Sequence, residues 1–133
     1  MAVQTAEKRI QIIVGDRTLT ATLNDSATAE AIYSALPIEA TVSRWGDEIY
    51  FSVPVVLEES PDARQDMAVG ELGYWPIGAA FCIFFGPTPV SRGPQPRAYS
   101  NVNPFGRIDE PEEVLQAVLG ETREGDTVRV EKA

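Results

Sequence analysis

Residues 70–89 read GELGYWPIGAAFCIFFGPTP, and they gather Tyr74, Trp75 and three of the five phenylalanines of a 133-residue chain. The apolar run within them, residues 77–85, is nine residues long, whereas a membrane helix needs about 20. The breakers Pro76 and Gly78 instead divide the stretch into two β-strands, 71–75 and 79–85. Successive residues of a strand point to opposite faces, so within Tyr74-Trp75 and within Phe84-Phe85 one ring faces the core and the other faces outward. An outward ring needs a ligand, a partner or a covering loop. Cys82 lies in the same apolar run and reads as a small buried side chain, because a reactive thiolate needs an electropositive neighbourhood and the chain has no histidine.

Working outward, residues 9–14 and 18–23 alternate on either side of Gly15-Asp16, which predicts a β-hairpin. Asn24, Asp25 and Ser26 supply capping side chains for a helix with Ala29, Ile32, Tyr33 and Leu36 on one face, stopped at Pro37. Residues 40–45 and 48–57 read as strands around the turn Gly46-Asp47, with Pro54 marking an edge or a bulge. Residues 58–66 are polar and read as a surface loop. Residues 86–107 hold five of the ten prolines, three arginines and no acid, which predicts a long loop ending in a strand at 104–108. A second helix opens at Pro111, with Glu112 and Glu113 complementing its dipole, and closes at Gly120; a last strand spans 127–131. The count is eight short strands and two short helices. The expected architecture is mainly β: a single domain over residues 1–133, built as a closed eight-stranded barrel with two short capping helices.

Charge and composition exclude several functions. With 20 acidic and 11 basic side chains the net charge is −9, which repels the phosphates of a nucleic acid. The absence of histidine excludes Ser-His-Asp and Cys-His catalysis and leaves a zinc site one soft ligand, so neither a metal nor a cofactor is expected. Residues 1–15 carry no apolar segment behind a basic start, so they do not read as a signal peptide, and a cytoplasmic protein without a membrane span is expected.

Four segments carry a family resemblance: Arg44-Trp45-Gly46-Asp47-Glu48-Ile49-Tyr50-Phe51-Ser52, Gly70 to Pro76, Cys82 to Pro89, and Phe105-Gly106-Arg107-Ile108. In these the chain resembles a family of small prokaryotic proteins with a cyclophilin-like fold and no settled function. The resemblance implies a barrel capped by two helices. It also raises prolyl cis/trans isomerisation, which requires a donor aimed at the prolyl nitrogen and an apolar floor to favour the twisted amide. Arg44 is the candidate donor in that case. True cyclophilins use a histidine that this chain lacks, and Cys82 stands near where they keep a pocket phenylalanine.

The candidate ligand-binding residues are Trp45, Tyr50, Tyr74, Trp75 and Phe84 for an aromatic cleft, Arg92 and Arg97 for a locally positive patch suited to an anion, and Asn101 and Asn103 as orienting hydrogen-bond groups. Their structural alternatives are core packing, ion pairs with the acidic C-terminal third, and turn formation. Three functions follow: a binding module for a small, anionic or neutral molecule or a short peptide; a diverged prolyl isomerase; and a non-catalytic homodimer that hides its aromatic patch.

Overall fold

The structure is a computed structural model and describes residues 8–133. Residues 1–7, on which half of the N-terminal reading rests, lie outside the described residues. Strands β1 (Arg9–Val14) and β2 (Arg17–Leu23) form the expected hairpin, with Val14 opposite Arg17 and Gly15 at φ 61° in the turn. Helix α1 (Ala27–Ser34) is capped by Ser26, whose hydroxyl accepts the Ala29 N–H at 3.1 Å. Then come β3 (Ile38–Thr41), β4 (Ser43–Trp45), β5 (Glu48–Ser52), β6 (Arg64–Asp66), β7 (Glu71–Trp75), β8 (Ala80–Phe84), β9 (Arg97–Ile108), α2 (Glu112–Gly120) and β10 (Thr127–Lys132).

The mainly β expectation holds, but the closed eight-stranded barrel is not what the ladder forms. Among the described residues there are ten strands, hydrogen-bonded in the order β3-β10-β1-β2-β9-β7-β8-β5-β4, with β6 attached to β9 and no ladder between β3 and β4. The two extra strands have identifiable causes. The expected strand 40–45 divides at Val42, whose N–H donates to Asp126 O and whose carbonyl accepts from Gly125 N–H, each at 2.8 Å. Held there, the chain pairs with β10 before Val42 and with β5 after it. The polar segment 58–66, expected to be only a loop, yields β6 because β9 begins at Arg97 rather than at residue 104 and offers it an edge. Strand β5 stops at Ser52, two residues ahead of Pro54.

Alternation decides the interior. Ile49 and Phe51 of β5 and Phe81 and Ile83 of β8 face the main core, where Phe81 stacks on Phe51 at 4.8 Å and meets Phe105 edge-on at 4.9 Å between ring centres. Ile10, Ile12, Leu19 and Val130 line the same core, and α1 and α2 close it with Ile32, Leu115 and Leu119. The opposite face of β8 carries Ala80, Cys82 and Phe84, which are buried against Met67, Ala98 and Val102 in a second, smaller cluster. That cover comes from the first half of β9 and from the segment around β6. Burial on both faces is why β8 reads as an unbroken apolar run instead of an alternating one.

Candidate functional site

The second cluster does not fill the space beneath its cover. A cavity of about 270 Å³ remains, lined by Trp45, Glu48, Tyr50, Trp75, Cys82, Ala98, Tyr99 and Val102. Its floor follows from strand register. Trp45 and Glu48 are directly opposed across the two-residue turn Gly46-Asp47 and therefore share a face. Tyr50 opposes Cys82, and Cys82 in turn opposes Gly73 on β7. A side chain at position 73 would come within 2.7 Å of the Val102 side chain, so glycine there lets β9 cross close over the sheet. The walls are aromatic: Tyr99 meets Trp45 and Trp75 at 6.1 Å each, with ring planes at 72° and 81°. The Trp75 indole N–H donates to Ser100 Oγ at 2.7 Å, and Gly78 lies flat against its benzene edge.

The charge at this site is unusual. Glu48 is only 5% exposed, and its Oε1 is a buried oxygen without a hydrogen-bond partner. Loss of water from the carboxyl pushes its pKa up to about 7, opposed only in part by a hydrogen bond from Cys82. The Cys82 thiol has one proton and two acceptors in reach, Ala80 O at 3.9 Å and the Glu48 carboxyl. Burial, and then the nearby carboxylate, pushes that thiol well above its ordinary range, so it is a neutral floor and not a nucleophile. Among the described residues no arginine or lysine lines the cavity. Among the described residues no group of His, Cys, Asp and Glu is placed to hold a metal ion.

Of the residues predicted from sequence, Trp45, Tyr50 and Trp75 come together in this cavity. Tyr74 is fully buried on the other face, where its hydroxyl donates to Val55 O at 2.6 Å and accepts from Leu57 N–H at 3.1 Å. Phe84 is also fully buried, packed in the second cluster. Arg97 faces Asp66 and Gln65, each at 3.2 Å, and Arg92 is exposed on the loop before β9. Asn101 reaches Glu59 at 3.4 Å at the surface. Asn103 is buried and fastens the segment 58–60, accepting from Ser60 N–H at 2.8 Å and donating to Glu58 O at 3.0 Å. Arg44 is occupied elsewhere: its guanidinium donates to the carbonyls of Leu119, Gly120 and Thr122 at the end of α2 and to Asp47, and it lies 5.1 Å from the Phe85 ring centre. It caps a helix and is not aimed into a cleft.

Sequence reasoning missed Glu48, Tyr99 and the floor role of Cys82. One signal for Glu48 was available, since Trp45 and Glu48 flank a two-residue turn and a cleft assigned to one belongs to both. Tyr99 stood in a proline-rich segment with no alternation to place it.

A sequence model of the family described as Cyclophilin-like matches residues 8–131. The hypothetical protein AF2241 from Archaeoglobus fulgidus, solved in solution, is 35% identical, with a TM-score of 0.80 and full coverage of both chains. McbB, solved in complex with tryptophan, shares the fold at 19% identity and a TM-score of 0.72; the match covers 92% of this chain and 44% of that one. No curated protein matches the sequence.

Proposed function

Given that this chain belongs to the cyclophilin-like family, we propose that it is a binding protein whose ligand is a small molecule held in the cavity between Trp45, Trp75 and Tyr99. The observation that carries this reading is the conjunction of a roughly 270 Å³ aromatic-walled space with a buried, unpartnered carboxyl oxygen on its floor. A buried polar atom without a partner costs free energy in an empty protein, and a ligand donor would repay it. The space equals about nine waters of liquid volume, which suits one small molecule or a single side chain and not an extended peptide. That McbB was solved with tryptophan supports the idea that this fold can hold an aromatic molecule of such size.

Two earlier expectations lose their footing. The anion-binding idea rested on Arg92 and Arg97, and neither lines the cavity, whose own charge is negative. The isomerase idea rested on Arg44, which is spent on α2. A cytoplasmic setting, where thiols stay reduced, suits the lone Cys82; no described helix is long and apolar enough to cross a membrane. Native mass spectrometry of freshly purified protein, with Trp45→Ala beside it, tests the binding reading. A co-purifying small molecule that the variant loses is the expected result. Wild-type protein that is free of adducts and unresponsive to a ligand-observed NMR screen of small arenes would overturn it.

A further inference from the structure

Resting on that reading of the cavity, we infer that its ligand is a protonated amine, with the ammonium group seated on Glu48 and the apolar remainder between Trp45, Trp75 and Tyr99. Three observations favour a cation over a neutral donor or an anion. First, among the described residues Glu48 is the only acidic or basic side chain lining the cavity, and its buried Oε1 has no hydrogen-bond partner. Second, Trp45 and Trp75 both stand nearly perpendicular to Tyr99. All three rings line the cavity, and an aromatic face attracts positive charge through its quadrupole. Third, the Glu48 carboxyl is itself buried, so a charge-assisted bond to it is stronger there than at a surface. An anion meets its own sign at the Glu48 carboxylate and at the ring faces.

The same geometry couples binding to a proton. Glu48 opposes Trp45 on β4 and Phe84 on β8, is hydrogen-bonded by Cys82 of β8, and shares the cavity with Tyr50 on its own strand, Trp75 on β7 and Tyr99 on β9; Arg44 and Asp47, near it in sequence, pair with each other at 3.1 Å. None of the lining groups supplies a positive charge, so the ligand must. Burial holds part of the Glu48 population protonated near neutrality. An ammonium selects the ionised form, so its binding expels a proton below about pH 7 and tightens as the pH rises through that value.

The probes are phenethylamine, 2-phenylethanol and 3-phenylpropionate, which share an arene and differ in charge. Titration calorimetry at pH 6 in two buffers of different ionisation enthalpy should show the amine binding on the order of tenfold more tightly than the alcohol, with proton release, and the carboxylate binding weakest. Glu48→Gln should abolish both the amine preference over the alcohol and the proton release. The affinity of the unaltered protein for the amine at pH 5, 7 and 8 gives the same information without any variant. If the alcohol or the carboxylate binds as well as the amine, the amine inference fails and the cavity stands as a binding site. If none of the three binds, the cavity reading fails with it.

Discussion

Glu48 on β5 and Cys82 on β8 lie diagonally across two hydrogen-bonded strands; the Cys82 hydrogen bond eases ionisation of Glu48, while the Glu48 carboxylate opposes ionisation of Cys82. Neither has a cation beside it on the cavity wall. Below about pH 7 the pair is therefore mostly a neutral acid beside a neutral thiol, and the pH behaviour of the protein follows from that.

Stability should depend on pH through Glu48. Its pKa is raised on folding from 4.5 to about 7, so its contribution is fully present below about pH 4.5 and is lost as the pH rises through about 7. A shift of this size corresponds to on the order of 3 kcal/mol. Urea denaturation of wild type and Glu48→Gln should show the variant gaining by that amount, relative to wild type, between pH 4 and pH 9. Parallel stability curves for the two proteins would mean that the carboxyl is solvated.

The Cys82 thiol should resist alkylation. It is 2% exposed, and its ionisation is opposed by burial and by Glu48. Iodoacetamide at pH 8 is expected to leave the folded protein unmodified by intact mass and to label it fully in urea. Rapid labelling of the folded form would contradict the neutral floor described above.

Gly78 positions the Trp75 ring. A Cβ at residue 78 would fall 2.5 and 2.6 Å from Cε3 and Cζ3 of the indole, so Gly78→Ala must turn the ring away and break its 2.7 Å bond to Ser100. A loss of about 1–2 kcal/mol is expected, together with a red-shifted tryptophan emission as the ring meets water. Unchanged emission would show that the turn at residues 76–79 yields without moving the indole.

Arg44 should behave as a structural residue. Arg44→Ala removes charged hydrogen bonds to Leu119, Gly120 and Thr122 and a contact with Phe85, at a cost of about 2–3 kcal/mol. Arg44→Lys should recover only part of this, because an ammonium lacks the planar fork that reaches several carbonyls at once. Thermal denaturation of both variants measures the difference, and full rescue by lysine would reduce the residue to a point charge.

Much of this fold was legible because period-two patterns and turn residues are local. That Tyr74 and Trp75 point to opposite faces, and that a capping side chain stands among residues 24–26 ahead of α1, follow from neighbours within a few positions; which of the two rings enters the core does not. The site was less legible because its roof is not local. Prolines 87 to 96 hide the start of β9 at Arg97, which gains its place by pairing with β6 some thirty residues earlier. Without that roof Glu48 reads as an ordinary charged residue after a turn, and the arginines beside the prolines look free to bind. With it, Glu48 is buried and Arg97 is committed to Asp66.

The division at Val42 has a consequence for how these molecules meet one another. The ladder ends on β3 and β4, which are four and three residues long and are separated by Val42 alone. Edge strands so brief offer an incoming strand few backbone groups in register, so this end of the ladder is a poor template for cross-β growth.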